Sequence, residues 1–210
     1  MNATEYTVHG NVAVIALQNP PVNGLGHPLR LGIASGIDQA IANDEIDAVV
    51  LIGASGRFSG GADIREFNTP AMTAEPTLHT LIDIIASSPK PVIAAIDGMA
   101  LGGGLELALG CHYRIATPAA QVGLPEVKIG LLPGAGGTQR LPRLTGIEAA
   151  VEMITGGRPV SAEAALSSGL ADAVMNGDLM EEALSFIRGR AADAPLPLSQ
   201  RPCPAPKEAG

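Results

Sequence analysis

A run of three glycines followed closely by a glutamate is the segment of this sequence best suited to chemistry. Residues 102–104 leave a bare backbone that a ligand atom can approach closely, and Glu106 follows. If a helix begins at the glycines, Gly103 and Glu106 share one face, and the free N–H groups point at any anion that forms there. That is the layout of an oxyanion site beside a carboxylate. A glycine-rich turn into a buried helix, with Glu106 as an ordinary first-turn acid, fits equally well.

Two further glycine-rich segments carry groups of the same kind. Residues 58–64 place two glycines before a small residue, which leaves room for backbone N–H groups to face a ligand, although a tight strand-to-helix turn explains them too. Glu126 follows Pro125 in a mostly apolar loop, and a second glycine cluster spans residues 134–137. A carboxyl held in apolar surroundings has a raised pKa, which suits acid–base work. A solvated loop glutamate is the alternative.

The elements that would position these segments alternate between strands and helices. A hairpin is predicted about Gly10, and helices and buried strands alternate after it. From Gly146 onward the pattern is mainly helical, with Ser161 as a helix cap. This order indicates an α/β fold with buried strands. The predicted strands are 6–9, 11–17, 47–52, 91–97 and 113–116, and the predicted helices include 29–42, 76–87 and one opened by the glycine run.

Composition limits the class of protein. The chain has 210 residues, 46% hydrophobic and 2% aromatic, so one domain with a core of Ala, Val, Ile and Leu is expected. A net charge of -8 argues against binding nucleic acid or an anionic membrane, and no apolar run is long enough to span a bilayer. Cys111 and Cys203 lie in unlike contexts, so no disulfide framework is expected. With no signal peptide recognised, we predict a reducing, cytoplasmic location.

Several other chemistries lack their motifs. Residues 134–138 do not contain the Gly-Lys-Ser/Thr of a phosphate-binding loop, and no Gly-x-Ser-x-Gly elbow occurs. The four histidines are scattered without ligand spacing, so no metal site is predicted.

Taken together, residues 58–64, 98–109 and 125–140 resemble the signature regions of the enoyl-CoA hydratase/isomerase (crotonase) family. Residues 100–116 and 122–138 are especially similar to the N-terminal hydratase/isomerase part of multifunctional fatty-acid β-oxidation enzymes. The resemblance implies an α/β crotonase spiral of ββα units followed by a C-terminal helical region. We expect this domain over residues 1–190 and a Pro-rich linker or disordered tail over residues 191–210.

The resemblance also assigns roles to the three segments. The backbone N–H groups of Ala62 and Gly103 would form the oxyanion hole for the thioester oxygen. Glu106 and Glu126 would be the catalytic acid–base pair, with Glu106 mainly activating water and Glu126 mainly transferring a proton at the α-carbon. The Gly134 N–H would help to hold the catalytic water. Hydration of a conjugated C=C bond needs this set of groups and no metal.

The implied substrate is an acyl-CoA thioester, so coenzyme A is part of the substrate and no separate cofactor is expected. Gly61, Asp63, Ile64 and Arg65 are the implied coenzyme A contacts. Because the chain is acidic, local cations must offset the phosphates. Arg65 is therefore predicted at the nucleotide end, with Arg57 as the second candidate. The alternative is that both are solvated loop arginines.

The sequence departs from the family pattern at its end. Relatives carry further C-terminal helices that close the acyl pocket and build a trimer, whereas here the helical pattern stops near Arg190. We therefore expect either a fragment or a chain completed by a partner, as a homotrimer or hexamer or with dehydrogenase domains. Both glutamates favour an enoyl-CoA hydratase. A Δ3,Δ2-enoyl-CoA isomerase, a non-catalytic acyl-CoA binding module and another crotonase reaction are the alternatives.

Overall fold

Strands and helices alternate along the chain and build two β-sheets with helices packed around them. A computed structural model of the protein describes residues 3–190 and 195–204. The strands are β1 (Thr4–His9), β2 (Val12–Leu17), β3 (Ala48–Gly53), β4 (Val92–Ile96), β5 (Met99–Leu101), β6 (Tyr113–Ala116), β7 (Gln121–Gly123), β8 (Val160–Ser161) and β9 (Ala173–Val174). The α-helices are α1 (His27–Ala42), α2 (Pro70–Thr73), α3 (Leu78–Ala86), α4 (Gly103–Gly110), α5 (Gly137–Arg140), α6 (Pro142–Thr145), α7 (Ile147–Gly156), α8 (Ala162–Ser167) and α9 (Leu179–Arg188).

The larger sheet has six strands in the order β1-β2-β3-β4-β6-β9. The first pair is the predicted antiparallel hairpin, and the remaining neighbours pair in parallel. Alternate residues of β2 face opposite layers. Ala13 and Ile15 belong to the core cluster that includes α1, α3 and α4, whereas Val12 and Val14 pack with α9. Cover on both faces explains why the parallel strands are continuous apolar runs.

The smaller sheet, in the order β5-β7-β8, brings the glycine-rich segments together. The N–H of Leu101 donates to the Ser59 carbonyl oxygen at 3.0 Å, and the N–H of Gly102 donates to the Gly123 carbonyl oxygen at 2.9 Å. The loop after β3, the start of α4 and the end of β7 therefore meet at one point. The sequence patterns did not predict β5 or β7, because three-residue strands carry too few residues for a visible alternation.

The C-terminal third is mainly helical, as predicted, with two-residue strands β8 and β9 between its helices. The Ser161 hydroxyl caps α8 by accepting from the N–H of Ala164. A buried arginine ties this region to the main sheet: Arg114 donates to the Leu170 carbonyl oxygen at 2.9 Å and pairs with Asp172 at 3.2 Å.

Part of the predicted tail packs on the domain. Leu198 is buried within the 3-10 helix Leu198–Gln200, and Nε of Arg143 donates to the Arg201 carbonyl oxygen at 3.0 Å. One apolar side chain and one arginine contact thus connect residues 195–204 to the domain, while the linker or disordered tail stays a prediction. The rest of the tail, residues 191–194 and 205–210, lies outside the described residues. Cys111 is buried, Cys203 is exposed and both are free thiols. Within the described ranges, no helix has the length and apolar character needed to cross a membrane.

Candidate active site

Two backbone N–H groups, those of Ala62 and Gly103, face the same space. Gly103 is the first residue of α4, and Gly61, with a φ of +103°, turns the preceding loop toward it. A Cβ atom added to Gly103 would lie 3.3 Å from the Ala62 nitrogen, and one added to Gly61 would lie 3.2 Å from the Gly103 nitrogen. Neither N–H donates to a protein acceptor within residues 3–190 and 195–204. Two adjacent unused donors can stabilise one oxyanion.

Glu106 is fixed by two hydrogen bonds to one of its oxygens. Its side chain projects from the first turn of α4 and is only 3% exposed. Oε1 accepts from the N–H of Ala135 and from the N–H of Gly137, each at 2.8 Å. Burial raises the pKa of this carboxyl, while the two N–H donors and the nearby Arg140 and His79 act in the opposite direction. The two donors favour the ionised form and fix its orientation.

Glu126 lacks comparable support. It begins the 3-10 helix Glu126–Ile129 and is half-buried. Oε2 is buried and has no hydrogen-bond partner among the described residues. Burial raises the pKa of this carboxyl, and the negative charge of Glu106 raises it further. A hydrogen bond from the N–H of Glu126 itself acts in the opposite direction. With one buried oxygen unpartnered among the described residues, Glu126 has fewer groups that stabilise its charged form than Glu106 has.

Both carboxyls and both N–H groups line a single cleft of about 540 Å³. Its mouth carries strongly exposed apolar side chains, Ile64, Ile129 and Leu132. Lys128 is an exposed cation at this mouth, and the buried Arg30 lines the cleft as well. A larger, shallower cleft of about 1230 Å³ between β1 and α1 contains none of the predicted site residues.

Three of the four predicted coenzyme A contacts line the cleft, and the fourth does not. Gly61, Asp63 and Ile64 line the cleft, whereas Arg65 lies beside it with 69% of its side chain exposed. Arg65 forms an ion pair with Asp63 at 2.6 Å, and this guanidinium holds the pKa of the Asp63 carboxyl below its usual value. Arg57 donates to the Pro21 carbonyl oxygen at 2.9 Å and is not part of the cleft wall.

The second glycine cluster contributes more than the sequence indicated. Gly134 lines the cleft as expected, and its N–H has no acceptor within the described residues. The two residues that hold Glu106, Ala135 and Gly137, were not predicted, because backbone donors leave no side-chain signature. His79 also lines the cleft, and the sequence did not indicate this. Across the described ranges, no three His, Cys, Asp or Glu side chains are grouped as a metal site.

A family comparison agrees with this geometry. The family model described as "Enoyl-CoA hydratase/isomerase" matches residues 7–200. The chain belongs to the enoyl-CoA hydratase/isomerase family. The match includes the loop after β3, α4 and the second glycine cluster, so the segments that meet in the cleft all lie within the family region.

Two similar members of the family are much longer than this chain. The human peroxisomal bifunctional enzyme is 54% identical over 203 residues, which cover 96% of this chain and 28% of that protein. The peroxisomal fatty acid β-oxidation multifunctional protein MFP2 of Arabidopsis thaliana is 49% identical over 171 residues, which cover 78% and 24% respectively. This chain therefore spans about a quarter of the length of these curated relatives.

Solved structures of the family share the fold. Pseudomonas aeruginosa DspI superposes with a TM-score of 0.84 and 36% identity, covering 91% of this chain and 75% of that one. Enoyl-CoA hydratase from Bacillus anthracis gives a TM-score of 0.81 and 34% identity, covering 90% and 76%. The predicted family and the predicted α/β crotonase fold are confirmed. Because the full-length relatives above are named as peroxisomal, the cytoplasmic location stays a prediction.

Proposed function

We propose that this chain adds water across the 2,3 double bond of a 2-enoyl-CoA thioester to give a 3-hydroxyacyl-CoA. The observation that carries the proposal is the cleft itself, where two carboxyls in unlike environments lie with two unused backbone donors. Hydration needs a base for water, an acid for the α-carbon and donors for the enolate oxygen. The family membership of the chain supports this class of reaction.

In the proposed reaction, Glu106 takes a proton from water as the water oxygen bonds to C3. The electrons of the double bond move onto the thioester oxygen, which the N–H groups of Ala62 and Gly103 stabilise as an enolate. The enolate then collapses as C2 takes the proton of Glu126. One water is consumed, and the proton gained by Glu106 restores Glu126 through solvent. The hydrogen bonds to Glu106 and the unpartnered oxygen of Glu126 support this division of roles.

Recognition of coenzyme A needs cations, because the thioester carries phosphates and this chain has a net charge of -8. Arg65 remains our candidate for the nucleotide end, since its guanidinium is exposed beside the cleft. Lys128 is the second candidate, because it lines the mouth and forms no ion pair within the described residues. Apolar side chains at the same mouth suit an acyl chain.

The test offers the chain two substrates. With crotonyl-CoA we expect loss of the conjugated thioester absorbance and formation of 3-hydroxybutyryl-CoA. Turnover of a 3-enoyl-CoA without hydration of crotonyl-CoA would instead support an isomerase, which can shuttle one proton with one carboxylate. Calorimetric binding of the thioester without any turnover would support a non-catalytic binding module. Either result would overturn the proposed hydratase. Association with dehydrogenase domains, as in bifunctional relatives, or as a homotrimer or hexamer, is likewise a proposal.

A further inference from the structure

A buried arginine stands behind Glu106, outside the cleft wall. Arg140 ends α5 and is only 5% exposed. Its Nη2 donates to Oδ1 of Asp83 at 2.8 Å, and its Nη1 donates to the Ala135 carbonyl oxygen at 3.2 Å. Its Nε has no partner among the described residues. Because the Asp83 side chain is 57% exposed and the Arg140 side chain is buried, water screens the charge of Asp83 more than that of Arg140.

Arg140 and Glu106 are joined through one residue. The carbonyl oxygen of Ala135 accepts from Arg140, and the N–H of Ala135 donates to Glu106. Gly136, with a φ of +97°, turns the chain so that the N–H of Gly137 also reaches Glu106. A Cβ atom at Gly136 would lie 2.0 Å from Nη1 of Arg140. The glycine therefore leaves the space in which the guanidinium folds back over the loop.

Four titratable or charged groups surround the Glu106 carboxyl. Arg140 of α5 and His79 of α3 favour its charged form, and the neighbouring Glu126 is a second acid in the same cleft. Asp83 of α3 contacts both side chains, with Arg140 at 2.8 Å and His79 at 3.5 Å. Arg140 is the buried and permanently charged member of this set, since a guanidinium does not lose its proton at ordinary pH.

We infer that Arg140, anchored by Asp83, is a positioning residue that holds the loop at residues 135–137 and places its positive charge behind the Glu106 carboxyl. The arginine acts through the loop and through its charge, and it does not touch the substrate space. The expected effect of Arg140 on catalysis rests on the proposed hydratase function. Its effect on the titration of Glu106 does not. The two are therefore tested separately.

The first test is a carbon-13 NMR titration of the Glu106 carboxyl, identified by its loss in Glu106→Gln. In Arg140→Met we expect Glu106 to titrate at higher pH than in the wild type, because a positive charge is removed. Arg140→Lys keeps the charge and should return the titration toward the wild-type position. Asp83→Asn keeps an acceptor oxygen for Nη2 of Arg140 but removes a negative charge, so it should move the titration to lower pH. Repeating the series with His79→Gln separates the part due to His79.

The second test is the pH dependence of hydration. In Arg140→Met we expect kcat to fall by roughly tenfold near pH 6 and to recover as the pH rises, with KM unchanged. Arg143→Met is the matched control, since Arg143 is a nearby arginine whose contacts are the carbonyl oxygens of Gln139 and Arg201. It should leave the titration of Glu106 unchanged.

Two outcomes would overturn the inference. One is a folded Arg140→Met variant in which Glu106 titrates as in the wild type. The other is a shift in Asp83→Asn with the same sign as in Arg140→Met. If Arg140→Met fails to fold, Arg140→Gln removes the same charge while keeping a polar side chain, and the sign of its shift decides the question together with Asp83→Asn. If the wild type hydrates nothing, the proposed function fails while the NMR titration still tests the role of Arg140.

Discussion

At the residue scale, Glu106 and Glu126 share a cleft but differ in the hydrogen bonds that reach them. Glu106 accepts from two backbone N–H groups through one oxygen, whereas Glu126 has a buried oxygen with no partner in the part of the chain that the structure describes. In the proposed reaction, these surroundings give two carboxyls of one chemical type different roles. Such a division is the usual way to obtain a base and an acid from one pair of residues.

Removing the Glu106 charge should stop hydration without unfolding the chain. Glu106→Gln keeps the shape and an acceptor oxygen for the two N–H donors, but cannot take a proton from water. We expect kcat for crotonyl-CoA to fall by about 10² to 10⁴-fold, the usual contribution of a general base. Glu152→Gln on the exposed side of α7 is the control and should retain wild-type activity. Near-wild-type hydration by Glu106→Gln would refute its role.

The pH dependence of hydration should be a bell displaced toward higher pH. The rate rises as Glu106 loses its proton and falls as Glu126 loses the proton that C2 must receive. Because burial raises the pKa of both carboxyls, both limbs should lie above the usual glutamate value of about 4.3. Because Glu106 and Glu126 interact, the two pKa values of the bell describe the pair and not the individual residues. Measurement of kcat against pH checks this, and an acid limb at or below the usual glutamate range would contradict it.

Most of the candidate site could be predicted at this scale from side-chain types and from the family resemblance. Glu106, Glu126, Ala62 and Gly103 do line one cleft. The support for Glu106 could not be predicted, since Ala135 and Gly137 act through backbone atoms whose direction depends on the fold. The ion pair between Arg65 and Asp63 was also not predicted, although its two residues are neighbours in sequence.

At the element scale, the glycines of α4 permit a contact that any side chain would prevent. A Cβ atom at Gly104 would lie 2.4 Å from the Ser59 carbonyl oxygen, whereas one at Gly103 would first meet the side-chain end of Leu78 at 2.8 Å. The backbone oxygen cannot move without breaking its bond to Leu101, while a leucine side chain can rotate. Gly104 therefore allows close packing against the backbone at Ser59, whereas Gly103 leaves room beside the Ala62 N–H.

Alanine at these two glycines should separate stability from activity. We expect Gly104→Ala to lower the free energy of unfolding by about 1–3 kcal/mol or more, because it overpacks the core. Gly103→Ala should cost less stability but reduce kcat, since its Cβ atom crowds the Ala62 N–H. Gly156→Ala, which meets nothing within 4 Å, is the control. Urea unfolding and crotonyl-CoA kinetics check the three variants, and equal losses of stability at Gly103 and Gly104 would contradict the distinction.

Long periodic elements were predictable, and short ones were not. Helix α1 and the hairpin follow their apolar periods closely, so the sequence locates them within a few residues. Strands β5 and β7 form because three residues of one strand pair with three residues of the other, for example Ala100 with Val122. Such pairing depends on tertiary contacts that no local pattern contains. Because this small sheet brings the site segments together, their relative positions could not be predicted from the sequence.

At the scale of the whole molecule, the end of the described chain is fastened to the helices near the site. Leu198 is buried beside α5 and α6, and α5 carries Gly137 and Arg140. The Pro-rich composition of residues 191–210 predicts a linker or disordered tail, and it does not indicate that Leu198 is buried. The tail thus contributes to the region that holds Glu106.

Loss of that anchor should destabilise the domain. We expect Leu198→Ala to lower the free energy of unfolding by about 2–5 kcal/mol, the usual cost of removing a buried leucine side chain. Leu196→Ala is a matched control two residues away, because Leu196 is 64% exposed. Denaturant unfolding of both variants checks the difference, and equal stabilities would show that the tail does not pack in solution.

Isotope labelling shows whether this cleft adds water to an enoyl thioester. The chain is incubated with crotonyl-CoA in oxygen-18 water, and the product is analysed by mass spectrometry before any reverse reaction accumulates. We predict 3-hydroxybutyryl-CoA with one oxygen-18 atom at C3, and no such product from Glu106→Gln. Recovery of unchanged crotonyl-CoA from the wild-type chain at saturating substrate would contradict the account.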